Sequence, residues 1–369
     1  MEDARKKTFR TILRWLAVLS PAVLAVILLK VCKAFPLYTE LVHARIVYPV
    51  FASVLSFLNR GMGFSVTEVL AFGAIPLLVG IVLALVRYIR RSGDRVKAVG
   101  KVARGITLAL SSVFLLYMIM HGVNFYRAPM SVLYGLDMSP KTPEQLVAVV
   151  TSLGERASRL RSELSEDEDG IFRLREGKAD CLGRADEALA AARERHPLLK
   201  GNGSRPKWVL ASGLWSYTGI TGFYMMPLCE PNINVDQPDF CIPFTVAHEL
   251  SHTCGFARED EANFAAYLLC TASDDPEYAY SGTLMAYIYC ANALFDYDLD
   301  LWAEARNSLS EAVIRDLADQ REYWDRHEGF VREASTGIND TFLKAQGQED
   351  GVLSYDRVVA LILAEKLKK

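Results

Sequence analysis

Two histidines four residues apart, His248 and His252, with Glu249 beside the first, are the residues whose types and spacing could do chemistry. On a helix both imidazoles project from one face and can hold a single Zn²⁺. Glu249 is then placed to take a proton from a water on that metal. The bland alternative is a buried helix that carries two histidines and no metal. The surroundings favour the metal: Phe244, Val246, Leu250 and Phe256 are apolar, and Glu249 is the one charge inside the motif. No proline falls between Phe244 and Phe256. Pro243 stands where a helix can begin, and Gly255, three residues past His252, stands where one can end.

A catalytic zinc usually takes three protein ligands and keeps one position open for water. The next stretch, Arg258-Glu259-Asp260-Glu261-Ala262-Asn263, reads as a second helix with an acidic first turn. Glu259 is the expected third ligand, because Asn263 lies one turn later on its own face. That amide could hydrogen-bond a ligating histidine from behind. Glu261 is the alternative ligand and Asp260 a distant third. An oxyanion formed at a scissile carbonyl needs a further donor. Tyr224, Tyr289, Tyr323, His327 and Tyr355 are the available groups, unranked by sequence.

These residues need a frame. Residues 141–197 read as helical, and 207–212 as a strand. The glycine- and aromatic-rich run that follows reads as a hairpin or small sheet. Asn232-Ile233-Asn234-Val235 alternates polar and apolar residues, which predicts an edge strand near the histidine helix where an extended substrate could pair. Helices are expected over 267–272, 280–295 and 301–328, with a last one from about Ser354. Seven cysteines show no zinc-finger spacing. Outside a cell Cys229 and Cys241 could bridge, or all could be buried thiols.

The front of the chain is different. Residues 1–127 carry 17 Lys/Arg against 5 Asp/Glu, a net +12, and the remainder carries 24 against 39, a net −15. The basic residues flank apolar runs, so the pattern is that of a membrane anchor and excludes a nucleic-acid footprint. Three transmembrane helices are expected, at about 12–32, 66–86 and 105–126, each long enough to span roughly 30 Å. No A-x-A-like cleavage site follows the first, which favours a retained helix over a signal peptide. Residues 87–104 hold seven basic residues and one acidic. The positive-inside rule puts that loop and the N-terminus in the cytoplasm, and everything after 127 outside. Residues 33–65 become an outer loop, apolar from Ile46 to Leu58, that could lie on the membrane or pack on the outer domain.

The stretches SYTGITGFYMMP, EPNINVDQPDF, PFTVAHELSHTCGFAREDEANFAAYL and NDTFLKAQGQEDGVLSY, behind apolar helices, resemble the bacterial membrane proteins grouped as domain of unknown function 3810. That family is similar to H-E-x-x-H zinc metallopeptidases. Arg258 stands where metzincins place a third histidine, and Glu259-Asp260-Glu261-Ala262-Asn263 resembles the context of the third glutamate in gluzincins. The resemblance implies a mainly α fold: three transmembrane helices (1–127), then an extracytoplasmic α+β zincin-like metallopeptidase domain with a small sheet (128–369). It implies Zn²⁺ as cofactor, a peptide or protein as substrate, and a multi-pass location in the bacterial cytoplasmic membrane. The other reading is a catalytically silent metal- or peptide-binding docking module. An intact Glu249 argues against it.

Overall fold

The computed structural model describes residues 2–345 and 355–368, mostly helical with one small sheet. The chain folds as two units, Met1–Phe51 with Val66–Arg127, and Ala52–Ser65 with Ala128–Lys369.

The apolar runs of the first unit form α1 (Glu2–Ala34), α3 (Val66–Arg91) and α4 (Arg95–Met120). Each extends beyond its apolar core into basic flanks, because Arg and Lys are good helix formers. Asp94 caps α4 by accepting the Lys97 N–H at 3.0 Å. Between α1 and α3 the chain stays helical, through a π-helical Thr39–Val47 into α2 (Tyr48–Asn59). Among the described residues, four stretches are therefore long and apolar enough to cross a membrane: Thr8–Ala34, Pro36–Asn59, Val66–Arg91 and Arg95–Met120. Three were expected. The fourth lies in the stretch read as an outer loop. Ala25, Cys32, Met118 and Val123 pack between α1 and the end of α4, while Leu16, Val23, Phe72, Ile75 and Leu83 face outward. Such a surface suits lipid. Glu40 is buried in this unit and takes two hydrogen bonds from Arg127, at 2.7 and 3.1 Å.

The second unit is built on four long helices. They are α5 (Pro143–Arg161), α6 (Cys241–Thr253), α7 (Glu259–Thr271) and α8 (Pro276–Tyr297). A capping box between Thr142 and Gln145 starts α5. α6 is buried along nearly its whole length and sits in the core, its own Val246 and Ala247 in one apolar cluster with Phe264, Ala265 and Leu284. The expected 301–328 helix divides into α9 (Leu299–Arg306) and α10 (Glu311–Arg326), the second capped by Ser310. Two further helices follow, α11 (Phe330–Ala345) and α12 (Tyr355–Lys366); Ser354 lies outside the described residues. A buried network ties three helices together. Arg161 of α5 donates to Asp316 of α10 at 2.7 Å, and Tyr280 of α8 donates to the same oxygen at 2.5 Å.

The sheet runs β1 (Lys207–Trp208), β3 (Glu230–Ile233), β2 (Gly222–Met225). β1 is parallel to β3, with Lys207 opposite Asn232, and β2 is antiparallel to it, with Phe223 opposite Asn232. The edge expected at Asn232–Val235 is thus corrected. Asn232 and Ile233 lie in the central strand, paired on both sides. Just beyond it, the Asn234 N–H donates to Thr221 and the Val235 N–H to Ser212. The alternation misled because the buried asparagines find partners inside the protein. β1 is shorter than expected, since the chain turns at Val209 into a helix at Ser212–Ser216.

Ala52–Ser65, from the outer loop whose apolar part was expected either on the membrane or against the outer domain, packs in the second unit. Buried Lys207 explains why: its ammonium donates to the Asn59 carbonyl and to Glu230 Oε2, both at 2.9 Å. Ser65 donates to Asn232 Oδ1 at 2.6 Å and Ser56 to the Asn202 carbonyl at 3.2 Å. A lysine taken out of water needs such acceptors. All seven cysteines are free and buried, so the Cys229–Cys241 bridge does not form. Burial pushes the Cys241 thiol up to about 12.

Candidate metal centre

α6 carries His248, Glu249 and His252, and its end sets the third group. The Gly255 N–H donates to His252 O at 2.9 Å and the Phe256 N–H to Ser251 O at 3.4 Å, with Gly255 at φ +80°. This Schellman turn reverses the chain within three residues and starts α7 beside the histidines. Glu259, the first residue of α7, benefits from the positive end of that helix. The short gap from His252 to Glu259 is what the turn requires.

His248 Nε2 and His252 Nε2 lie 3.2 Å apart, and Glu259 approaches them at 3.3 and 3.7 Å. These three side chains form a cluster that could hold a metal ion. Each ring is fixed from behind. His252 Nδ1 donates to the Phe256 carbonyl at 2.7 Å, and His248 Nδ1 meets Asn263 Oδ1 at 2.8 Å. A carbonyl only accepts, so these contacts put the proton on Nδ1 and turn the Nε2 lone pairs toward each other. Two lone pairs at that distance repel unless a proton or cation sits with them. Burial works against charge on both rings. Glu259 outweighs it at His248, raising that ring to about 9, whereas His252 stays below its ordinary value.

The Glu249 carboxylate packs against Gly222 of β2. It is buried, and its Oε2 has no hydrogen-bond partner among the described residues. Burial raises its carboxyl to about 8, opposed by His248 and assisted by the Glu259 charge. The space it occupies exists because β2 has a glycine there. A Cβ on Gly222 would lie 2.8 Å from Glu249 Cδ and closer still to Oε1. Two residues on, the same strand face presents Tyr224, whose ring stacks on His252 with centroids 5.9 Å apart.

A family model described as Protein of unknown function (DUF3810) matches residues 43–363. The chain belongs to that family. The matched stretch runs from the π-helical segment through the sheet and the histidine helix into α12. No curated protein and no solved structure matches this chain.

In this DUF3810 chain the structure brings together His248, His252, Glu259, Asn263, Glu249 and Tyr224, and separates the others. Glu261, the alternative ligand, faces away: its Oε1 accepts from the Met130 N–H at 2.7 Å and from Arg258 at 2.6 Å. Two positions past Glu259 is the wrong side of the helix, where Arg258 and Glu261 instead anchor the start of α7. Tyr289 packs on Phe244, one turn before His248. His327 and Tyr323 belong to another cluster, with His327 Nδ1 donating to Tyr323 O at 2.7 Å and Tyr323 donating to Ser216 and Asp236. The Tyr355 side chain lies outside the described residues. Gly222 was missed, although an isolated glycine in a strand signals a close approach.

A cavity of about 350 Å³ is lined by Arg173, Lys178, Asp236, Asp239, Tyr323 and Arg326, among others, and by none of the histidine cluster. In its lining Lys178 donates to the Val235 carbonyl and pairs with Asp239, and Arg173 pairs with Asp167. The histidine cluster lies outside this cavity, and beside it Glu249 Oε2 has no hydrogen-bond partner among the described residues.

Proposed function

We propose that this chain is a membrane-anchored, zinc-dependent peptidase. The observation that carries the reading is the His248–His252–Glu259 cluster with a buried, unsatisfied Glu249 carboxylate at its side. The donor set suits zinc: a tetrahedral ion with bonds near 2.0–2.1 Å needs ligand atoms about 3.3 Å apart. The separations here are 3.2, 3.3 and 3.7 Å. Both rings also donate backward to oxygen, as zinc-binding histidines usually do.

Zinc bound there would lower the pKa of its water toward ~7 and polarise a scissile carbonyl. Glu249 takes the proton of the attacking water and returns it to the leaving amine. The ionised carboxylate is the form that accepts the proton, and the neutral acid so formed is the form that delivers it. Tyr224 holds the His252 ring by stacking on it. The free edge of β2, carrying half-exposed Phe223, replaces 232–235 as the strand along which an extended substrate would pair.

The second unit is proposed to face outward. Seven basic residues in 87–104 favour a cytoplasmic loop between α3 and α4. With the basic N-terminus on the same side, an odd number of crossings before residue 127 follows, and Pro36–Asn59 is the stretch we infer does not cross. Its last turns carry Ser56 and Asn59, which bond within the second unit to Asn202, Leu228 and Lys207. That leaves residues 36–51, about 24 Å of helix, short of the ~30 Å hydrocarbon core.

The test is metal analysis and peptide cleavage by the full chain in detergent, wild type beside His248→Ala and Glu249→Gln. The expected result is near-stoichiometric zinc in wild type and Glu249→Gln, with cleavage in wild type alone. Zinc without cleavage of a broad peptide library assigns the site to a binding module. Wild type without zinc overturns both.

A further inference from the structure

The distance from the candidate centre to the point where the chain enters its apolar helix can be followed residue by residue. Ser65 ends the first segment of the second unit, and Val66 begins a stretch long and apolar enough to cross a membrane. Ser65 Oγ donates to Asn232 Oδ1 at 2.6 Å. Asn232 is paired across the sheet with Phe223, and its amide also donates to the Phe223 carbonyl at 3.1 Å. Phe223 follows Gly222, against which the Glu249 carboxylate packs. Cα atoms lie ~5 Å apart across an antiparallel pair and 3.8 Å apart along the chain. With one side-chain contact at each end, Ser65 Cα is at most about 20 Å from the Glu249 carboxylate.

The segment that ends at Ser65 is also unlike a water-facing loop. Phe57, Leu58, Met62 and Phe64 are all exposed on it, Phe57 by 73 %. It joins two of the apolar stretches, Pro36–Asn59 and Val66–Arg91. Aromatic and apolar side chains that directly flank a spanning helix lie at the lipid interface. The covalent link between Ser65 and Val66 therefore keeps the centre within about 20 Å of the point where the chain enters its apolar helix.

We propose that the centre acts at the bilayer surface, on polypeptides that are themselves tethered to the membrane, and cuts them a few residues from where they leave it. This rests on the peptidase reading. A substrate confined to the same bilayer meets the free edge of β2 at a locally raised concentration, without needing high affinity of its own. An extended chain advances ~3.3 Å per residue, so about six residues span the distance from lipid to the centre.

The experiment uses the full chain reconstituted in phospholipid vesicles. A quenched fluorescent peptide library is offered in two forms, free in solution and dipalmitoylated through flexible spacers of graded length. The expected result is at least tenfold faster cleavage of the lipidated form, greatest where the spacer places the scissile bond near six residues from the lipid. Equal rates for free and lipidated peptides, or rates independent of spacer, overturn the inference and leave the peptidase reading standing. Cleavage of neither form by zinc-loaded protein overturns the peptidase reading and this one with it. Location is read without activity by a nitroxide on Phe223→Cys in vesicles containing a nickel-chelating headgroup lipid. Relaxation enhancement comparable to that of a nitroxide on Phe57→Cys supports the placement. No enhancement beyond that in vesicles lacking the nickel lipid overturns it.

Discussion

Gly222 and Glu249 are in contact across the interface between β2 and α6: the glycine's missing side chain is the volume the carboxylate fills. A single strand thereby contributes twice, with Gly222 making room for the acid and Tyr224 covering His252 two residues later. The adjacency implies that Gly222→Ala would force Glu249 out of place while sparing the metal ligands. We expect zinc stoichiometry to stay near that of wild type and the cleavage rate to fall by at least tenfold. Overpacking of this kind costs about 1–3 kcal/mol of stability. Parallel measurements of bound zinc, thermal midpoint and turnover check the three parts separately, and unchanged turnover would show that Glu249 does not act from this position.

The amide of Asn263 orients His248 from behind, and losing such a partner typically costs 10–100-fold in metal affinity. Asn263→Ala should weaken zinc binding to that extent in a competition titration with a chromophoric chelator. Glu261→Gln should leave zinc affinity within about twofold, because Glu261 serves Met130 and Arg258 instead. If the two variants exchange these phenotypes, the ligand assignment at the start of α7 is wrong.

How much of this was legible in the sequence follows from how local each signal is. His248 and His252 are one helical turn apart, and so are Glu259 and Asn263, so a 3.6-residue period is enough to put each pair on one face. The Schellman turn was announced by Gly255. What could not be read depends on residues far apart in the chain. Asn232 reads as part of an edge strand, yet it is buried and its partners include the Ser65 hydroxyl, 167 positions away. Segment 52–65 reads as part of the anchor by its apolar composition, yet Lys207 holds its backbone in the second unit. Gly222 carries no side chain to signal its role, which exists only once β2 lies on α6.

Binding of zinc to the folded chain alone should stabilise it by mass action. At free zinc a hundred times its dissociation constant the gain is about 2.7 kcal/mol. Wild type should show a thermal midpoint that rises with zinc and falls on chelation, and His252→Ala should show neither. A midpoint in wild type indifferent to zinc up to millimolar concentration would mean that the histidine cluster holds no zinc.

Two buried contacts away from the centre set the stability of the second unit. Asp316 accepts from Arg161 at 2.7 Å, from Tyr280 at 2.5 Å and from the Phe172 N–H at 2.8 Å. Removing one partner of a buried ion pair leaves the other charge uncompensated, at about 3–5 kcal/mol. Asp316→Ala should therefore lower the midpoint sharply, and more than Asp316→Asn, which keeps an acceptor for part of the network. Gly282 of α8 lies directly against Cys270 of α7, whose Cα would be 3.4 Å from an added Cβ and whose own Cβ would be nearer. Neither atom is the end of a flexible chain, so Gly282→Ala must push the helices apart, at about 1–3 kcal/mol. α7 also carries Glu259, and a displacement of that helix reaches the centre. Zinc affinity should therefore fall in Gly282→Ala while Asp316→Asn, which disturbs α5 and α10, retains it. Chelator competition on both variants, at a temperature where each is folded, distinguishes a helix that positions the metal from helices that only support the fold.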